Sequence, residues 1–172
     1  MESNLIWVFG YGSLIWWTGD VHAVREQIDY LEGWHRDWTW ISGSRHGAPT
    51  CSLACGGRVK GKFLNLNPAT TDRDIECFRR RERRCTEQKK RDVPFGGALT
   101  YFWTMGSNLA DYPEFAMLEG DELLKALAQR AKGVKQAGRD GVTALDYIRQ
   151  VHESDPGDEI TAALFKFLDV EK

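Results

Sequence analysis

The sequence lacks the cysteine spacing of a common zinc or redox site. Its four cysteines, Cys51, Cys55, Cys77 and Cys85, contain no CxxC pair. One combination with ligand chemistry remains, Cys51 and Cys55 with His46, and the expectation is that the chain holds no metal. It also lacks any apolar run near the roughly 20 residues that span a bilayer, so no membrane helix is expected. It lacks a leader-like start, since Met1 to Asn4 lead straight into a strand-like run. Reduced thiols and a cytoplasmic location are therefore expected. Finally, it lacks charge of one sign: 23 Lys and Arg stand against 25 Asp and Glu, for a net charge of −2. No bulk field draws such a chain to nucleic acid or to anionic lipid.

Tryptophan is what the sequence has in plenty. Trp7, Trp16, Trp17, Trp34, Trp38 and Trp40 fall in the first quarter of the chain, and Trp103 is the seventh. Aromatic walls of this kind suit a core or a binding site, and composition does not divide them between the two. A length of 172 residues fits one domain, here residues 1–172, with enough chain to bury a core.

The pattern along the chain puts strands early and helices late. Apolar residues 5–9 end in Gly10 and read as a buried strand meeting a sharp turn. Residues 24–31, 37–42, 58–66 and 98–105 read as further strands, and the glycine- and cysteine-rich stretch 44–57 as a loop. Asn67-Pro68 signals a turn, after which Thr71 or Asp72 caps a helix to about residue 84. Residues 121–132 and 143–152 have the spacing of amphipathic helices. Asp155-Pro156-Gly157 ends the second, and residues 161–168 read as a closing strand. This order, without regular βαβ alternation, predicts an α+β fold with the strands curled into a barrel-like sheet and flanking helices.

Four groups of residues carry candidate chemistry. Directly after the first strand comes Phe9-Gly10-Tyr11-Gly12-Ser13-Leu14. Two glycines around one residue let the backbone turn tightly and present successive N–H groups. Such a concave backbone suits a carboxylate or a developing oxyanion; the plain alternative is a tight turn between strands. Dinucleotide, P-loop and nucleophile-elbow patterns all fail here. Ile15 stands where a third glycine is needed, no Gly-Lys-Ser/Thr follows, and Ser13 has no glycine two positions away on either side.

The second group is the run 79–84, five arginines around Glu82. At about 100° per residue, Ile75, Phe78, Glu82 and Cys85 fall on one apolar stripe, with the arginines spread around the other sides. A carboxylate on such a stripe is the anomaly, because Glu is rarely buried without a partner. It suits either proton transfer near neutral pH or a structural ion pair with Arg45, Arg58 or Arg36. The third group joins Gly33-Trp34-His35-Arg36 with Ser44-Arg45-His46-Gly47-Ala48-Pro49. Its charges could meet a substrate carboxylate, or its histidines could be structural. The fourth is Tyr147, on the flank of a helix face set by Leu145, Ile148 and Val151. It either reaches a site or sits at the edge of the core.

Taken in order, Phe9-Gly10-Tyr11-Gly12-Ser13-Leu14-Ile15-Trp16, Gly33-Trp34-His35-Arg36, Ser44 to Pro49 and Arg81-Glu82 resemble the γ-glutamylcyclotransferase family, most closely its ChaC-type, glutathione-specific branch. The resemblance thins after Thr104. It implies an α/β barrel-like fold, no cofactor and a small-molecule γ-glutamyl substrate, without nucleic acid or membrane as partners. It implies an intramolecular aminolysis that releases 5-oxoproline. Glu82 would be the acid–base residue, and Tyr11, Gly12, Ser13 and Leu14 would hold the glutamyl unit, with Arg45 and Tyr147 as further substrate contacts. The chain departs from the ChaC-type pattern after Glu82, where Arg83-Arg84-Cys85-Thr86 replace an aromatic and glycines. A non-catalytic ligand-binding or interaction module on the same fold is the competing class.

Overall fold

The computed structural model describes residues 5–91 and 97–168. It is a mixed α+β structure. A five-stranded sheet runs in the order β2-β3-β1-β5-β4, from β1 (Ile6–Gly10), β2 (Arg25–Ser42), β3 (Ala48–Asn65), β4 (Thr86–Lys90) and β5 (Leu99–Thr104). Among the described residues four α-helices accompany it: α1 (Thr71–Arg81), α2 (Gly120–Gly133), α3 (Ala144–Ser154) and α4 (Glu159–Leu168). The chain divides into two compact units. One comprises Met1–His35 and Cys55–Met105, the other Arg36–Ala54 and Gly106–Lys172. The long strands β2 and β3 each contribute to both. The boundary in β3 falls beside Gly56 and Gly57, whose φ angles of 108° and 72° lie where side chains are strained and glycine is not.

In the first unit β1 is the central strand, as its unbroken apolar run predicts. Trp7, Val8 and Phe9 are buried. β1 pairs antiparallel with β3, Phe9 opposite Phe63, and parallel with β5, Val8 opposite Tyr101. The chain between β3 and α1 turns at Asn67-Pro68, and Thr71 Oγ1 donates to the Asn67 carbonyl at 2.9 Å. Asp72 and Asp74 sit in the first turn of α1 and arginines in its last, each favourable to the helix dipole. Ile75 and Phe78 on one face of α1 pack into a core with Val8, Leu14, Val21, Leu64, Leu66 and Trp103. Burying a large apolar side chain of this kind stabilises by about 1.5–3 kcal/mol.

The second unit is built on the other halves of β2 and β3 with α2, α3 and α4. Arg36 donates to Asp155 at 2.8 Å in a buried ion pair, and Trp38 Nε1 donates to Thr161 Oγ1 at 2.9 Å. Thr143 caps α3, its hydroxyl accepting from the Asp146 amide.

Three readings of the sequence are corrected, and one strand, β4, is added to them. Residues 24–31 and 37–42 belong to one strand, β2. Residues 48–57 are strand rather than loop; only Gly43 to Gly47 turn the chain. Small residues such as Ala48, Cys51 and Ser52 resemble loop composition, yet all three are buried. Residues 161–168 form α4, not a strand. Asp158 accepts from the Thr161 amide, and buried Thr161 and Leu164 have helical, three-residue spacing. The polar strand β4, Thr-Glu-Gln-Lys-Lys, has no apolar alternation to announce it, which is common at a sheet edge.

Candidate functional site

The glycine loop takes its shape from close packing. A Cβ on Gly10 would lie 2.6 Å from Leu14 Cβ, nearer than two carbons can pack, so glycine is required where the chain folds back after β1. Leu14 drops into the core of the first unit and anchors the loop. Ser13–Ile15 make one 3-10 turn, whose bonds start with the Ile15 amide donating to the Gly12 carbonyl at 3.0 Å. The Ser13 and Leu14 amides therefore head the turn, where the first N–H groups have no partner within it. The Tyr11 side chain is buried, and its hydroxyl donates to the Trp103 carbonyl. Any contact of Tyr11 with a ligand therefore falls to its backbone.

Glu82 stands at the very end of the helical stripe that spacing assigned to it, in contact with Cys85 of the same stripe. α1 stops at Arg81, and Glu82 is the capping residue, its amide donating to the Phe78 carbonyl at 2.8 Å. Its side chain is 22% exposed, so the carboxylate is neither lost in the core nor fully in solvent. Oε1 lies 3.1 Å from Arg81 Nε, and the Cys85 thiol points at Oε2 from 3.5 Å. Burial, then the Glu82 charge, push the Cys85 thiol well above its ordinary range, so it stays a neutral, weak donor. The expectation that the arginines point away fails at Arg81, whose long side chain reaches both Glu82 and Ser13.

Arg81, which the sequence offers only as the neighbour of Glu82 in the family resemblance, has a role of its own. Its Nη2 donates to Ser13 Oγ at 2.8 Å and its Nη1 to the Trp17 carbonyl. Its guanidinium lies 4.3 Å from the centre of the Trp17 ring. The loop and Glu82 are thus joined through one side chain. The arginines that were candidates to pair with Glu82 are engaged otherwise: Arg36 with Asp155, Arg45 with Asp140, and Arg58 4.4 Å over the Tyr30 ring.

Arg45 and Tyr147 meet in the second unit. The Arg45 guanidinium lies 3.6 Å over the Tyr147 ring and is paired with Asp140 at 2.7 Å. Side-chain exposure is 9% for Arg45 and 1% for Asp140, so a substrate carboxylate at Arg45 has Asp140 as a competitor. Tyr147 is a core residue, edge-on to Trp38. Burial, with the nearby Cys51 adding to it, pushes the phenol up, against the opposing Arg45 charge. The two histidines bond to carbonyls, His35 Nδ1 to Gly56 at 3.0 Å and His46 Nε2 to Ala137 at 3.1 Å. Among the described residues, no three His, Cys, Asp or Glu side chains gather as a metal site, and no helix is long and apolar enough to cross a membrane.

The structure is similar to that of the γ-glutamyl cyclotransferase specific to glutathione from yeast in two crystal structures. With the selenomethionine-labelled form the TM-score is 0.66 at 16% identity, over 95% of each chain. With the other it is 0.67 at 15% identity, over 95% of this chain and 97% of that one. A comparison with curated proteins gave no significant match. The family model for ChaC-like proteins matches residues 6–102, more than half of the chain, and the protein belongs to that family.

Proposed function

We propose that this protein is a γ-glutamylcyclotransferase acting on a γ-glutamyl peptide or amine, with glutathione the first candidate and Glu82 the acid–base residue. Membership of the ChaC-like family and the fold shared with the glutathione-specific yeast enzyme support the reaction class. The observation that carries the residue assignment is the shared guanidinium. Arg81 is bonded both to Ser13 of the glycine loop and to Glu82, which ties a partly exposed carboxylate to a loop of backbone donors.

In this reading the α-ammonium of the glutamyl unit gives a proton to Glu82. The freed amine attacks the δ-carbon of the same unit, and a tetrahedral centre forms. Its oxyanion is held by loop N–H groups at Gly12, Ser13 and Leu14, the kind of preorganised donor set that stabilises developing charge. The bond to the departing nitrogen then breaks as Glu82 returns the proton to it, and the ring nitrogen gives up its second proton through the same carboxylate to the released amine. The products are 5-oxoproline and the free amine, which is cysteinylglycine when glutathione is the substrate. Because nucleophile and electrophile belong to one molecule, holding it folded supplies proximity, and no cofactor is required. The reaction is placed in the cytoplasm, and Arg45 and Tyr147, engaged with each other and with Asp140 in the second unit, are given no part in it.

The test is incubation of the purified protein with glutathione, γ-glutamyl dipeptides and γ-glutamyl amines, with 5-oxoproline measured by chromatography. Release of 5-oxoproline from at least one is expected. None from any of them would overturn the reading in favour of a non-catalytic ligand-binding module.

A further inference from the structure

We infer that Arg81 is a positioning residue that sets the register between the glycine loop and the Glu82 carboxylate, and that lysine cannot replace it. The inference rests on the reading of Glu82 as the acid–base residue. Among the arginines of the run, Arg79 pairs with Glu87 and Glu76, Arg80 reaches the Cys77 sulfur, and Arg83 and Arg84 are exposed. Arg81 alone of these turns back over the loop. It is 14% exposed, and every edge of its guanidinium has work: Nε at Glu82, Nη2 at Ser13, Nη1 at the Trp17 carbonyl, and its face on the Trp17 ring.

This arrangement uses what distinguishes arginine from lysine. A planar fork bonds in several fixed directions and stacks on an aromatic face, whereas an ammonium is a compact point charge on a mobile stem. The need for such a clamp follows from where Glu82 stands. A side chain just past the last turn of a helix has no following turn to help fix its rotamer, and a carboxylate there meets the negative end of the helix dipole. The guanidinium supplies both the counter-charge and the geometry. On the other side, Ser13 heads the 3-10 turn that would hold the oxyanion, so its hydroxyl bond to Arg81 fixes the loop relative to the proton-transfer group. A misplacement of 1 Å at such a site costs on the order of 10²-fold in rate.

The experiment compares Arg81→Lys, Arg81→Gln, Ser13→Ala and the double variant Ser13→Ala/Arg81→Gln with the wild type. It reads kcat and KM on the best γ-glutamyl substrate, thermal unfolding, and hydrogen exchange at the Ile15, Trp16 and Trp17 amides. Expected is a fall in kcat of about 10²-fold for Arg81→Gln and at least about tenfold for Arg81→Lys. The double variant should lose no more than Arg81→Gln alone, because residues acting through one bond are not additive. Exchange at the three turn amides should quicken in both Arg81 variants. Wild-type kcat in Arg81→Lys, additive losses, or unchanged exchange at the turn would overturn the inference. A wild-type protein without turnover, or an active Glu82→Gln, would instead sink the reading of the reaction, while the exchange measurement still decides whether Arg81 holds the loop.

Discussion

At Glu82 the carboxylate has one strong partner and one weak one, Arg81 at Oε1 and the Cys85 thiol at Oε2. The contact with Arg81 survives replacement by glutamine, whose amide oxygen accepts from the guanidinium, while the weak one reverses its sense, the amide NH2 facing the Cys85 sulfur. Proton transfer does not survive it, since an amide is not a base at neutral pH. Glu82→Gln is therefore expected to keep the fold, with a thermal midpoint close to wild type, and to lose about 10²–10⁴-fold in turnover. Steady-state rates of 5-oxoproline release, measured beside a melting curve, separate the two effects. Near wild-type turnover in a folded Glu82→Gln would remove Glu82 from the chemistry. The residue itself was legible in the sequence, as an acid set among apolar neighbours. Its setting was not, because helical spacing gives the direction of a side chain and not its reach, and Arg81 reaches both Glu82 and Ser13. The signal available was the arginine next to it, in the last turn where cations collect.

Among the elements, those announced by apolar periodicity stand near their expected places: β1, β5, α2, α3 and the second half of β3. The misread ones share a physical reason. β4 is polar because an edge strand needs no second buried neighbour. The buried part of β3 around Cys51 uses small residues that composition cannot tell from a loop. α4 carries aromatic residues that also favour strands, and its helical state is fixed by the Asp158 cap and its packing on α2 and α3. The glycine loop was legible because glycine is the only residue that fits its turn, and the same fact makes it testable. In Gly10→Ala the new methyl would stand 2.6 Å from Leu14 Cβ, and Leu14 is held in the core. Either the loop lifts or Leu14 leaves its site. Overpacking of this kind costs about 1–3 kcal/mol, which a urea unfolding curve would register. Because the displaced segment carries Ser13, kcat is expected to fall with stability. A Gly10→Ala variant with unchanged stability and unchanged kcat would show that the loop has room to spare.

For the molecule as a whole, three acids, two buried and one half-buried, tie stability to pH on the alkaline side. Burial pushes the Cys51 thiol from its ordinary 9.0 up to about 12, with Arg36 opposing. Burial likewise raises Tyr147, to which Cys51 adds, and Cys85, to which the Glu82 charge adds. All three shifts favour the protonated, neutral group in the folded state. The stabilisation is present in full below the unfolded values, 9.0 for the thiols and 10.0 for the phenol. Above them the unfolded chain gives up protons that the folded chain keeps, so the unfolded state binds fewer protons and stability falls as pH rises. For Cys51 the loss runs from about pH 9 towards its folded value of about 12. A fully separated group contributes about 1.4 kcal/mol per pH unit in such a window. Cys51 and Tyr147 both lie in the second unit, where the Cys51 backbone N–H donates to the phenol, so they lose their protons against the same packing. The urea midpoint, followed by circular dichroism with reductant present, is thus expected to stay level from pH 7 to about 8.5 and to drop steadily above it. Cys51→Ala should flatten the slope from the start of the window, and Tyr147→Phe only the part above about pH 10. A midpoint that holds constant to pH 10.5, or a Cys51→Ala variant with the wild-type slope, would show that these groups open to solvent without unfolding the chain.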